Sequence, residues 1–291
     1  MGNTETTIHR DIPTDNQRLD ILIVLPLTRR WSIDMQAKQL AKLNRDSLNV
    51  QLLVNIDTDE FNASQVIDAF NKYELTIPYK IHHTKRFAPQ EVRVFTRRDR
   101  IRDMLTDLQK TIIKTKEFDQ CNMLFMIEDD TQIEAGALQR LVADYRELDK
   151  AGVKVGFIEG AQVGRHGIRM IGAWRWDDIN NPTTIETIPY NSTTLFEKID
   201  GGGLYCFLTP MQHFLDHTFY WSAECISVDV TYGIELRKKG FTNVIDWSVV
   251  AGHADQHGKV LVPNENCTIA AYKKLDDGNW QLQPYQKGQI S

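Results

Sequence analysis

The chain has 291 residues, 42% hydrophobic and 25% charged, with a formal net charge of −5. That composition is globular, with apolar material for one large core or a core plus a small subdomain. No apolar run approaches the ~20 residues of a membrane-spanning helix. The polar stretch from Met1 to Asp20 lacks the apolar segment of a signal peptide, so the expected location is the cytoplasm, with no membrane partner.

In chain order, residues 1–18 read as a flexible lead-in. Leu19–Leu27 is a β-branched apolar run ended by Pro26, the pattern of a buried strand meeting a loop. A helix follows from Ser32 to about Asn44, then a second buried strand over Val50–Asp57 ending in the acidic loop Asp57–Glu60. A helix over 63–73 and a strand over 79–84 come next. A long helix is predicted from Pro89 to Lys116, with an apolar stripe of Ile101, Leu105, Leu108 and Ile112. Arg98 continues that stripe, and Arg102 lies one turn on. An arginine there needs either an anionic ligand or a neighbouring carboxylate.

Met123–Ile127 is a buried strand running into Glu128-Asp129-Asp130, and a helix carrying Leu138, Leu141, Val142, Tyr145 and Leu148 follows. Strand–helix alternation over this half predicts a mostly parallel, doubly wound sheet with its functional loops at the carboxyl ends of the strands. The second half is less regular. It offers a strand over Val153–Val163, a long excursion over 164–200, and the turn Gly201-Gly202-Gly203. After these come a strand over Leu204–Thr209, a helix over Asp229–Lys239 capped by Gly240, and a strand over Asn243–Val250. Residues 271–291 read as a polar tail.

Cys121, Cys206, Cys225 and Cys267 lie far apart with no CxxC pair, against a disulfide framework or a structural zinc site. Eight basic residues between Lys80 and Arg102 face only Glu91 and Asp99, which suits either an anionic ligand, nucleotide or nucleic acid, or a solvated helix face.

Three features bear chemistry. Glu128, Asp129 and Asp130 crowd the end of an apolar strand, where a hard divalent cation or a helix dipole would offset their repulsion. His253 follows a buried strand and is either a metal ligand or a structural histidine. Asp229 opens a helix and is either part of its cap or a general base.

In this order the features resemble the GT-A superfamily of glycosyltransferases, particularly its family-2-like members, over roughly residues 19–255. The resemblance implies a Rossmann-like α/β fold. Its mostly parallel central sheet is flanked by helices, with a nucleotide-sugar half over 19–150 and a smaller acceptor-side β and loop region over 151–270. It implies a hexosyl- or pentosyltransferase using Mn²⁺ or Mg²⁺ and a UDP- or GDP-sugar. Pro26, Thr28, Arg29 and Asp57 then correspond to the base and ribose site, and Arg98 or Arg102 to a phosphate contact. Glu128-Asp129-Asp130 matches the DxD motif, with Asp130, His253 and Glu128 as metal ligands. Gly202 and Gly203 fall in the turn that lets the donor sugar approach. Asp229 corresponds to the base, with Glu224 as rival, and the expected outcome is inversion. Two departures are the Glu-Asp-Asp form of the DxD motif and Val-Asp in place of Glu-Asp before the last helix.

The acceptor is a saccharide, a protein side chain or a hydroxymethylated DNA base reached through residues 80–102. Trp174, Trp176 and Trp221 either form an acceptor platform or pack in the core. Other classes are an inactive sugar- or nucleic-acid-binding module and a sugar nucleotidyltransferase. The latter needs a glycine-rich loop where this chain reads Pro26-Leu-Thr-Arg-Arg-Trp31.

Overall fold

The computed structural model describes residues 19–57, 62–84, 97–164, 169–220, 227–277 and 280–284. The first half runs β1 (Asp20–Leu27), α1 (Ile33–Ala41), β2 (Asn49–Asp57), α2 (Ala63–Lys72), β3 (Tyr79–Thr84), α3 (Arg97–Lys114), β4 (Met123–Ile127), β5 (Thr131–Gln132) and α4 (Ala137–Lys150). The second half runs β6 (Val155–Ala161), β7 (Ala173–Trp176), β8 (Thr184–Thr187), β9 (Phe196–Ile199), β10 (Gly201–Gly202), β11 (Cys206–Pro210), α5 (Met211–Leu215), α6 (Val228–Lys238), β12 (Thr242–Val250), β13 (Gly252–Ala254), β14 (Val260–Leu261), β15 (Ala270–Lys274) and β16 (Trp280–Pro284).

Eight strands form one central sheet in the order β3-β2-β1-β4-β11-β6-β12-β9. β3, β2, β1 and β4 pair in parallel, as do β6 and β12, whereas β11 and β9 run antiparallel to their neighbours. Because successive strand residues face opposite sides, the continuous apolar runs supply two cores. Ile21, Ile23 and Leu25 of β1 join Val66 and Phe70 of α2 and Leu138 and Leu141 of α4 in one layer. Leu22 and Val24 face the other way, against Leu105, Leu108 and Ile112 of α3 and Tyr232 of α6. The mostly parallel sheet between helical layers agrees with the expectation from sequence.

One capping signal acts as read, and another shows only in the structure. Gly240 ends α6 at a φ of +83°, a left-handed turn that residues with a Cβ rarely adopt. Asn62 and Gln65 form a reciprocal capping box at the start of α2. Two boundaries differ. Pro26 lies inside β1, buried and paired with Asn55, so the loop starts at Thr28. The tail expected over 271–291 is corrected over much of its length. β15 and β16 form a hairpin that completes a second sheet, β10-β7-β8-β15-β16. Tyr272 and Trp280 pack on Trp176, Ile185, Val230 and Ile234 there, whereas Lys273 is exposed. Trp176 is thereby a core residue, with Trp174 beside it; Trp221 lies outside the described residues. A third sheet, β14-β13-β5, is small but joins the two loops that matter most. Among the described residues no helix is long and apolar enough to cross a membrane.

Candidate active site

β1 has β2 on one side and β4 on the other, and the chain leaves the carboxyl end of β1 toward β2 and that of β4 toward β6, in opposite directions. That topological switch point is where open α/β sheets leave a crevice for ligands. It sets the loop after β1 against the turn after β4. Asp129, 3% exposed, accepts hydrogen bonds at Oδ2 from the Thr28 amide (2.7 Å) and the Thr28 hydroxyl (3.0 Å). The Arg29 guanidinium spans two carboxylates: Nη1 meets Asp129 Oδ1, and Nη2 lies 3.1 Å from Asp130 Oδ2.

The turn itself is held from α1. Gln36, fully buried, donates to the carbonyls of Glu128 (3.1 Å), Asp129 (3.0 Å) and Thr131 (2.9 Å). Gln39 donates to Thr131 O and accepts from the Ile133 amide, each at 3.0 Å. Neither glutamine was identified from sequence. The available signal was Gln36 lying among Ile33, Ala37 and Leu40 on the buried face of α1.

His253 reaches the same place through the third sheet, where β13 pairs with β5 and sets His253 opposite Thr131. Its Nδ1 lies 2.8 Å from the carbonyl of Val163, and its Nε2 lies 3.1 Å from Asp130 Oδ2. A carbonyl can only accept, so Nδ1 carries a proton. In the neutral ring Nε2 then turns a lone pair toward a carboxylate oxygen, an arrangement resolved by a proton or by a shared cation.

The electrostatics agree. Burial, then Asp130 and Asp129, pushes Glu128 up to about 8, with Arg29 opposing. Glu128 has solvent at its outer edge, yet the protein around it is dense enough for desolvation to lead. Asp129 is also raised, chiefly by burial, despite Arg29 and Thr28. Burial works against the charge of Arg29, but Asp129, Asp130 and Glu128 outweigh it and hold the guanidinium charged. Among the described residues, Arg29 is the cation that acts on both Glu128 and Asp129 and is held charged by all three acids.

Asp229 opens α6 and accepts from the Ser227 hydroxyl and, at 3.1 Å, from its neighbour Val230 N at Oδ1. Its charge adds to the upward shift of both Glu128 and Glu159. Glu159, on β6, was not singled out from sequence, although it is the one acid in the run Val155–Ala161. It is fully buried, and among the described residues neither carboxyl oxygen has a hydrogen bond of good geometry, although the Tyr205 side chain is near enough to favour its charge slightly. Burial first, then Asp229, raises it well above the usual carboxylate range.

The glycine turn owes its composition to these neighbours. A Cβ on Gly202 would overlap the Glu159 carboxyl, one on Gly203 the Tyr205 ring, and one on Gly201 the indoles of Trp174 and Trp176. Space beside all three glycines is thus filled by the protein's own side chains.

Other candidates fall elsewhere or out of view. Asp57 ends β2 at the crevice edge, paired with Thr84, but its side chain lies outside the described part, as does that of Arg98 in the first turn of α3. Glu224 is outside the described residues. Arg102 is held by Asp99 (3.1 Å) and Asp103 (2.7 Å), so carboxylates supply the anion its position needs. Lys80 pairs with Glu117 (2.6 Å) and His82 with Asp107 (2.8 Å), which offsets much of the described part of the basic segment.

Among the described residues no group of three or more histidine, cysteine or acidic side chains is disposed to hold a metal alone. Asp130 and His253 offer two ligands that converge. That donor set fits a Mg²⁺- or Mn²⁺-type ion completed by phosphate oxygens and water, because such ions take one or two carboxylates rather than a full protein cage.

No protein-family model matches the chain, and the curated proteins give no significant match. Solved structures do. A197 from STIV aligns at 13% identity and TM-score 0.46, covering 86% of this chain and 96% of that one. The mannosyltransferase PcManGT from Pyrobaculum calidifontis, in complex with GDP-Man and Mn²⁺, aligns at 11% identity and TM-score 0.48, over 81% of this chain and 56% of its own. GalNAc-T7 with UDP, GalNAc and Mn²⁺ aligns at 11% identity and TM-score 0.54, over 82% of this chain. The chain spans only 44% of GalNAc-T7. With the switch-point crevice and the sheet order, that last similarity identifies the architecture: the chain has the GT-A fold.

Proposed function

We propose that the protein is a metal-dependent glycosyltransferase that moves a sugar from a nucleoside diphosphate to an acceptor hydroxyl. The observation that carries this is the convergence of Asp130 Oδ2 and His253 Nε2, 3.1 Å apart, at the switch point of a GT-A sheet. The same fold in GalNAc-T7 is seen with UDP, GalNAc and Mn²⁺, so it accommodates this set of ligands.

Asp130 and His253 would hold Mn²⁺ or Mg²⁺, with Glu128 at the rim. A divalent ion there neutralises charge on the departing diphosphate. The chain's own residues do the rest. Thr28 fixes Asp129, and Gln36 and Gln39 fix the turn, so the carboxylates keep their aim without ligand. Asp229, steadied by Ser227 and the Val230 amide, takes the proton of the acceptor hydroxyl. Attack then comes from the face opposite the diphosphate, and the product has inverted anomeric configuration. With Lys80, His82 and Arg102 already paired with acids, a saccharide hydroxyl is the acceptor we favour over duplex DNA.

The test is turnover of UDP- and GDP-sugars with Mn²⁺. Asp130→Ala should abolish metal-dependent donor hydrolysis. Asp229→Asn should keep donor binding and lower transfer by 10²-fold or more, the typical range for a general base. Full activity in Asp130→Ala, or near-normal transfer in Asp229→Asn, would remove the corresponding assignment. Retained anomeric configuration, read by proton NMR, would rule out the inverting route.

A further inference from the structure

The contact that the proposed chemistry leaves unexplained is Arg29. Its guanidinium bridges Asp129 and Asp130. Nη2 lies 3.1 Å from Asp130 Oδ2, and His253 Nε2 lies 3.1 Å from that same oxygen. The Asp130 oxygen that His253 faces is thus one that Arg29 already engages, beside a permanent positive charge.

We propose that Arg29 is a built-in counter-ion that keeps a bare divalent cation out of the carboxylate pair and hands over Asp130 when a diphosphate arrives, so that metal and nucleotide load together. The inference rests on the donor reading above. Three features make the exchange physically open. The Arg29 side chain is 28% exposed, so it borders solvent and can swing outward. Its fork suits phosphate oxygens as well as carboxylates, so a diphosphate offers it an equivalent partner. Asp129 keeps its two Thr28 bonds on the other oxygen, so departure of Arg29 does not strand it. Reciprocity follows: whatever factor the nucleotide adds to cation affinity, the cation adds to nucleotide affinity.

The test is Mn²⁺ binding to the full chain, followed by electron paramagnetic resonance, with and without UDP, GDP or pyrophosphate. Wild-type protein should bind Mn²⁺ weakly alone and at least ten-fold more tightly with the diphosphate. Arg29→Met should bind Mn²⁺ alone at least ten-fold more tightly than wild type, and the diphosphate should add little. Arg29→Lys keeps the charge but cannot span both acids, so it should fall between them; it serves if the methionine variant folds poorly. Asp130→Ala in either background should abolish the signal. Equal Mn²⁺ affinity in wild type and both folded variants would overturn the counter-ion role. If the donor is turned over and Mn²⁺ uptake is the same in all, this proposal fails and the donor reading stands. If no nucleotide sugar is used yet Arg29→Met still gains Mn²⁺ affinity, the reverse holds.

Discussion

Gly202→Ala probes the reason for the glycine turn. The added methyl would overlap the Glu159 carboxyl. That carboxyl has nowhere to withdraw: Glu159 is fully buried in β6, between Phe207 of β11 and Ile245 of β12. Gly202 is itself fixed by pairing with Ala173. Overpacking a core costs about 1–3 kcal/mol, and two immobile partners put this case near ~3 kcal/mol. At roughly 2–4 °C per kcal/mol for a chain of this size, the melting temperature should fall by about 6–12 °C. Removing the obstacle should remove the penalty, so Gly202→Ala in a Glu159→Ala background should cost at least ~1 kcal/mol less than alone, the coupling expected of touching residues. Urea denaturation at constant m-value measures all four corners of the cycle. Equal cost in both backgrounds would refute the packing account. Donor hydrolysis by the double variant adds a second readout. Recovered stability with recovered activity would assign Gly202 to packing alone, and recovered stability without activity would assign it to donor approach as well.

Two further predictions concern the scaffold. Burial and the neighbouring Asp246 raise Asp144 from 3.8 to about 8, so the folded chain binds more protons there than the unfolded chain between those values. Stability should therefore fall as pH rises from about 4 to about 8, and Asp144→Asn should flatten that slope in urea titrations; an unchanged slope would contradict the raised Asp144 carboxyl. Thr28→Val deletes the 3.0 Å hydroxyl bond to Asp129 but keeps the amide bond. It should cost about 1.5 kcal/mol by urea denaturation, the low end for a bond to a charged group; a neutral substitution would mean that the amide and Arg29 suffice.

The parts of the fold legible in sequence were those where one physical pattern dominates. β1 and β4 are continuous apolar runs, and β2 and β6 nearly so, because helices cover both faces of the sheet. α6 was marked by Asp229 at its start and Gly240 at its end. The hairpin β15–β16 escaped notice because Lys273, Lys274 and Gln281 dilute its short strands, and its apolar side makes sense only against Trp174 and Trp176.

At the site, Glu128–Asp130 stood out as a charge cluster. Its contact with His253 joins residues 123 apart through a three-stranded sheet that no local pattern announces. Gln36 is a polar residue on the buried face of α1 and Glu159 the acid of a buried strand, and their meaning lies wholly in tertiary neighbours. The sequence reading of Arg29 as a nucleotide contact does not include its pairing with Asp129 and Asp130. Where β1 and β4 stop relative to one another decides what its guanidinium meets, and that register is not written in either strand alone.

The most direct measurement is anomalous diffraction at the manganese edge from crystals soaked with Mn²⁺ and UDP or GDP. The account predicts a peak bonded to Asp130 and His253, shared with phosphate oxygens, and with Arg29 turned toward the nucleotide. Bound nucleotide with no manganese at that position, and Arg29 still bridging Asp129 and Asp130, would contradict it.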